Sequence, residues 1–129
     1  THNEQLLTML APQLDEELHA RHSLEQQVKN VLKKLLAGHR PRLPEVAEQL
    51  GLTPRTLQRR LTEGGLSFQT VLQRSRRELA HHYLAESRME LSETAYLLGY
   101  DDANSFFRAF QRWEGTSPGQ WRSLKVASN

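Results

Sequence analysis

The sequence predicts an all-α protein: two helix-turn-helix subdomains joined by a long linker helix, about seven helices, with an N-terminal connector helix ahead of them. Three observations carry this. Sustained alternation of β-branched and polar residues, the mark of strands, is missing, while apolar residues recur at helical spacing. The chain also nearly repeats itself. Leu43-Pro44-Glu45-Val46-Ala47-Glu48-Gln49-Leu50-Gly51 is followed 48 residues later by Leu91-Ser92-Glu93-Thr94-Ala95-Tyr96-Leu97-Leu98-Gly99, with Leu, Glu, Ala, Leu and Gly at identical offsets. Arg59 then answers to Arg108, one residue out of step, and Gly65-Leu66-Ser67-Phe68 to Gly115-Thr116-Ser117-Pro118. Finally, Val71, Leu72, Leu79, Ala80, Tyr83 and Leu84 form an apolar stripe between the repeats.

Taken in order, residues 1–22 read as a connector. Leu6, Leu10, Leu14 and Leu18 stand at i+4 spacing, and Pro12 interrupts them. A first subdomain spans 23–66. Ser23 with Gln26 has the form of a capping box opening a helix through Val28, Val31, Leu32, Leu35 and Leu36 to Gly38. His39-Arg40-Pro41-Arg42 is a basic loop. Pro44 suits the first turn of the next helix, and Thr53-Pro54 reads as N-cap and first residue of another, ended by Gly64-Gly65. Ser67 caps the linker helix, within 67–86. The second subdomain, 87–124, holds helices near 92–98 and 103–113, the latter capped by Asp101 or Asp102, and a short last helix opened by Ser117-Pro118. Residues 125–129 are expected to fray.

In such a unit a small Ala lies on the packing side of the first helix, Gly makes the turn, and the second helix enters the major groove. Its exposed first turns then meet base edges. In the first repeat these positions are Arg55, Thr56, Gln58 and Arg59, with Leu57 and Leu61 turned to the core. Arg pairs with guanine O6 and N7, Gln with adenine N6 and N7. In the second they are Ala103, Asn104, Phe107 and Arg108, over Phe106 and Phe110. Phe107 is either core or an apolar group for a thymine methyl. Arg40, Arg42, Arg60, Ser105 and Arg112 are placed for phosphates. A linker of about 19 residues is roughly 28 Å long, enough with its flanking bodies to hold two such helices about 34 Å apart, one turn of B-DNA.

Net charge is only +2, but the 17 basic residues comprise four lysines (Lys29, Lys33, Lys34, Lys125) and thirteen arginines, the side chain suited to bidentate contacts. Without Cys there is no disulfide, thiol nucleophile or Cys-based zinc site. No run of about 18 apolar residues occurs and no signal peptide is visible. His81-His82 diverge on a helix, and His2, His19, His22 and His39 are scattered, so no metal or other cofactor is expected. Glu16-Glu17 and Asp101-Asp102 read as a solvated face and a cap. No phosphate loop or nucleophile elbow appears, and no enzyme is expected.

The segment Leu98-Gly99-Tyr100-x-x-x-x-Ser105-Phe106-Phe107-Arg108-x-Phe110-x-x-Trp113-x-Gly115-x-Ser117-Pro118-x-x-Trp121-Arg122 is similar, almost throughout, to the signature of the AraC/XylS family of bacterial transcription regulators. Trp121 stands where an aromatic, often Tyr, is usual. Val46-Ala47-x-x-Leu50-x-Leu52-Thr53-x-Arg55-Thr56-Leu57-Gln58-Arg59-Arg60-Leu61 resembles the family's first unit, and Arg76-x-x-x-Ala80-x-x-x-Leu84 its linker helix. The match covers about residues 23–122. Its Arg55–Leu61 stretch is closest to the branch with an arabinose-binding-like N-terminal domain. The resemblance implies seven helices, monomer-competent binding to asymmetric double-stranded promoter DNA, contact with RNA polymerase, and a bacterial cytoplasmic, nucleoid-associated setting. A start at Thr1 rather than Met, with 1–22 outside the signature, leads us to expect a regulatory domain missing from this chain. Two other classes were weighed. DNA-repair methyltransferases carry a similar domain, but their chemistry needs Cys. A helical protein-interaction module, in which one or neither repeat binds DNA, is the alternative.

Overall fold

The computed structural model describes residues 23–86 and 88–128, together with Glu16. The expected connector over 1–22, with its leucine stripe and three of the histidines, otherwise lies outside the described residues. Seven helices are present among the described residues, and no strand: α1 over 23–35, α2 Leu43–Gln49, α3 Pro54–Glu63, α4 Phe68–Glu86, α5 Leu91–Leu97, α6 Ala103–Glu114 and α7 Pro118–Ser128.

Caps place most of the boundaries. Thr53 Oγ1 accepts from Thr56 N at 3.1 Å to start α3, Ser67 Oγ from Thr70 N at 3.1 Å to start α4, Asp102 Oδ1 from Ser105 N at 2.7 Å to start α6, and Ser117 Oγ from Gln120 N at 3.2 Å to start α7. Asp102, not Asp101, is therefore the cap of α6. Gln26 was expected to close a capping box with Ser23; its amide instead donates to Asn30 Oδ1 at 2.9 Å, one turn along α1. Residues 125–128 belong to the last turn of α7.

The repeat is exact in its turns and shifts in one loop. Leu52 N bonds Ala47 O at 2.9 Å and Tyr100 N bonds Ala95 O at 3.1 Å, the same closure at the end of α2 and of α5. Gly51 and Gly99 sit at φ +70° and +78° in these closures. Thr53 caps two residues after Gly51, whereas Asp102 caps three after Gly99. That one added residue explains why Arg59 and Arg108 are out of step with the first helices of the repeats.

Two apolar cores result. Val28, Leu32 and Leu36 of the α1 segment, Val46 and Ala47 of α2, Leu57 and Leu61 of α3, and Val71 and Leu72 of α4 form the first. Ala80 and Leu84 of α4, Ala95 and Leu98 at α5, and Phe106 and Phe110 of α6 form the second, walled by Tyr100, Trp113 and Trp121. Linker helix α4 thus gives its first half to one unit and its second half to the other, and Leu79 packs against both.

The middle of α4 is tied by polar contacts. Arg76 stands at the i+4 register of Leu72, Ala80 and Leu84, only 4% exposed. Its Nε donates to Leu98 O at 2.8 Å and its Nη2 to Gly99 O at 2.9 Å, while the guanidinium lies 4.2 Å from the Tyr100 ring centroid. Burial lowers the Arg76 pKa; two carbonyls at the C-terminal end of α5, where the helix dipole is negative, offset the desolvation. On its other side Gly99 presses on the α1–α2 turn, where a Cβ would collide with His39 O and Leu36 O. Gly38 N closes the contact by donating to Tyr96 O at 2.9 Å. Further along, Arg77 Nε donates to Glu114 Oε1 at 2.8 Å; His81 Nε2 hydrogen-bonds the same oxygen, and its ring stacks on Trp121 at 4.8 Å.

The equivalent anchors give a direct test of the two cores. Leu57→Ala and Phe106→Ala should each lower stability by roughly 2–5 kcal/mol in urea or thermal denaturation, because each side chain is fully buried. A variant with parental stability would show that its unit is not held by this anchor.

A second outcome concerns pH. Burial pushes the Glu114 carboxyl up, but the hydrogen bonds and charges of Arg77 and His81 outweigh it and hold the pKa below its ordinary 4.5. A depressed carboxyl contributes stability above the unfolded value and loses it as pH falls through the folded one. Glu114→Gln should therefore cost about 1 kcal/mol at neutral pH, and the gap to the parent should close below about pH 4.5. A constant gap across that range in pH-dependent denaturation would assign the loss to packing.

Candidate nucleic-acid interface

The second helix of each unit turns one face inward and one outward. In α3, Leu57 and Leu61 are buried, while Arg55, Gln58, Arg59 and Arg60 are exposed and Thr56 is half-buried. Thr56 belongs partly to the cap, since its hydroxyl accepts from Thr53 Oγ1 at 2.9 Å. Arg59, with a side chain 63% exposed, is loosely paired to Glu63 at 3.9 Å. Every polar position expected to read bases in α3 is thus on the open face or at its edge.

Aligning α6 on α3 by their caps sets Asn104 at the place of Arg55, Ser105 at Thr56, Phe107 at Gln58 and Arg108 at Arg59. Asn104 and Arg108 are exposed; Ala103, Ser105 and Phe107 are half-buried. Phe107 falls between its two expected places: its ring meets Phe106 at 5.9 Å and packs on the second core, yet it keeps exposed area. Arg108 Nη2 approaches Ser105 Oγ at 3.4 Å.

The residues expected at phosphates fall in three places. Arg60 is exposed on α3. Arg40 and Arg42 are exposed in the α1–α2 loop, where Arg42 is the N-cap of α2 and its N–H donates to Glu45 Oε1 at 3.1 Å. Glu45 also hydrogen-bonds His39 Nε2 at 2.8 Å, which, with the Arg42 N–H and nearby positive charge, keeps its carboxyl below the usual range against the opposing desolvation. Arg112 and Ser105 share a face of α6 with Arg108. Residues 40, 105, 108 and 112 converge where the two units meet.

Sequence reasoning missed Gln73, Arg76 and Tyr100 in that meeting place, and the Arg77–His81–Glu114 tie. For Arg76 a signal existed: a charged residue on the i+4 stripe of Leu72, Ala80 and Leu84. The Glu114 tie joins residues 33 and 37 apart, which no local pattern marks.

Two helix-turn-helix units on one helix, each presenting a polar, Arg-bearing second helix, define a DNA-binding module of the two-unit class. Residues 46–123 match the family profile described as "Helix-turn-helix domain", and 23–64 match "Bacterial regulatory protein, Fis family". The chain belongs to the AraC-type helix-turn-helix family, the DNA-binding domains of transcriptional regulators. It is 38% identical over 101 residues to the HTH-type transcriptional regulator VirS of Mycobacterium tuberculosis, covering 78% of this chain and 30% of VirS, so it spans about a third of that relative's length. The crystal structure of transcriptional regulator CdpR from Pseudomonas aeruginosa is similar, with TM-score 0.66 and 36% identity over 78% of this chain and 31% of CdpR. The fold also matches the DNA-binding domain of AdpA solved with a target DNA, with TM-score 0.66 and 23% identity over 82% of this chain and 95% of that domain.

Proposed function

We propose that α3 and α6 enter two successive major grooves of one face of promoter DNA. The observation that carries this is the equivalence of the two helices: the same type of cap, a pair of buried anchors at matching positions, and outward faces bearing polar residues, both set on one continuous α4. In this reading Arg55, Thr56, Gln58 and Arg59 read one groove, and Ala103, Asn104, Phe107 and Arg108 the other. Arg40, Arg42, Arg60, Ser105 and Arg112 hold phosphates. The 19 residues of α4 span about 28 Å, which suits groove spacing once the flanking bodies are added. That AdpA's domain was solved on its target DNA supports the reading. Binding as a monomer to asymmetric sites, contact with RNA polymerase, a separate regulatory domain and a bacterial cytoplasmic setting at the nucleoid belong to the same proposal. No described helix is long and apolar enough to cross a membrane.

Base reading by α3 is tested by specificity rather than affinity alone. Arg59→Ala and Gln58→Ala should each relax selectivity at individual base pairs of one half-site, by about 1–3 kcal/mol per lost bidentate contact. Selection from random duplexes with each variant measures this; equal weakening on every sequence would reassign these side chains to phosphates.

The spacing of the units is tested by breaking its phase. One residue inserted between His81 and His82 turns everything beyond it by about 100° and advances it about 1.5 Å. Footprints should shrink from two adjacent major grooves to the one read by α3, with weaker binding. An insertion variant that keeps its helix content by circular dichroism and still protects both grooves would replace the rigid spacer with a flexible tether, or with a dimer using one unit per chain.

A further inference from the structure

Where the two units meet, α4, the α1–α2 loop, the α5–α6 turn and α6 border a half-open polar cavity of about 310 Å³. Four arginines line it, Arg40, Arg76, Arg108 and Arg112, against one acidic residue, Asp101; two of the Arg76 nitrogens are already held by Leu98 O and Gly99 O. Their positive charge reaches the buried wall: Arg40 acts electrostatically on both Arg76 and Tyr100, and Arg112 on Tyr100. Two other lining residues, Gln73 and Tyr100, each carry a buried polar atom, Oε1 and OH, that makes no hydrogen bond of good geometry, although the Arg76 guanidinium is close enough to act on the Tyr100 hydroxyl. Burial raises the Tyr100 pKa, so its hydroxyl remains a donor at neutral pH. The Gln73 amide can present either end, so it too can donate. Buried polar groups are ordinarily paired, and two left without a good bond just behind the wall of one cationic cavity have donors to turn toward an anion seated there.

The chemistry selects the anion. Guanidinium groups bind phosphate through parallel, charge-assisted hydrogen bonds, and phosphate oxygens accept from Tyr and Gln as well. The same face of α6 that starts on the reading surface, with Ser105 and Arg108, continues through Arg112 into the cavity, so a duplex held by α6 brings its backbone there. We propose that this cavity is a phosphate-binding site, and that in the DNA complex it seats one backbone phosphate from the stretch of duplex between the two major grooves. The inference rests on the two-groove reading and adds Gln73, Arg76 and Tyr100 to it as a built seat joining the units.

The experiment uses a duplex of about 30 base pairs, near three turns of B-DNA, selected by this chain from a random pool. Methylphosphonate linkages, which are neutral, are placed one at a time along both strands and affinities measured. One linkage between the two footprinted grooves should weaken binding roughly 10- to 100-fold and lower the salt slope by about 0.9. Tyr100→Phe keeps the ring beneath Arg76 and removes only the hydroxyl, so its melting temperature should stay within a few degrees of the parent's while its DNA affinity falls. In Tyr100→Phe and in Arg40→Gln, which alters an exposed loop residue, the penalty at that linkage should shrink, the sign of direct coupling. A flat scan between two protected grooves overturns the seat and leaves the two-groove reading standing. Failure to select any sequence sinks both. Inorganic pyrophosphate is titrated into the DNA-free protein as the second arm, followed by NMR. Binding that depends on Arg40 and Tyr100, together with a flat scan, would overturn the backbone occupant in favour of a free phosphoryl ligand.

Discussion

The arrangement of this protein depends on one buried cation. Arg76 sits in the middle of α4, on the face that would otherwise be a continuous apolar stripe, and donates to two carbonyls at the end of α5. A buried guanidinium is costly unless its donors are used, so α5 is held in the one position that satisfies them. Gly99, whose carbonyl is one of these acceptors, is pressed from behind by the α1–α2 turn. Any side chain there would push the units apart. The link between the units is therefore a three-part contact of loop, glycine and arginine, not α4 alone.

Within this frame the repeat shows how two similar units diverge in chemistry while keeping their geometry. Buried anchors change from Leu57 and Leu61 to Phe106 and Phe110, and the larger rings bring in Tyr100, Trp113 and Trp121 around them. The outward face changes too. Where α3 offers Arg55 and Gln58, α6 offers Asn104 and Phe107, a poorer set of donors. The added residue in the α5–α6 turn brings Asp101 and Tyr100 to the junction, so the second unit gives more of its side chains to the meeting of the units than the first does.

Much of this was legible in the sequence because it is local. Thr53, Ser67 and Ser117 announce helices by the chemistry of their own side chains, and the ends of α3 and α4 fall where Gly64-Gly65 and the apolar stripe place them. The outward faces of α3 and α6 were legible because Leu57, Leu61, Phe106 and Phe110 fix the rotation of their helices. What was not legible is either competitive or non-local. Asp101 and Asp102 are equal candidates until the turn geometry chooses. Gln26 has a helical neighbour, Asn30, as near as its expected partner Ser23. Arg112 and Arg108 are visibly basic, but their convergence with Arg40 and Tyr100 depends on how α6 lies across α4, and no spacing in the chain records that.

Under the two-groove reading, the unequal donor sets of α3 and α6 make physical sense when the helices act together. A helix with few base contacts binds weakly alone, but tethering makes its engagement intramolecular, with an effective concentration set by the tether. A flexible linker spreads that concentration over many wrong placements. The Arg76 and Gly99 contacts narrow them, so under the two-groove reading α6 needs to add little specificity of its own. The same stiffness moves the remaining adjustment onto the DNA. If the units cannot change their spacing, the duplex between them must bend or twist to fit, and its deformability becomes part of what is recognised. The base pairs between the grooves then contribute to selectivity without being touched.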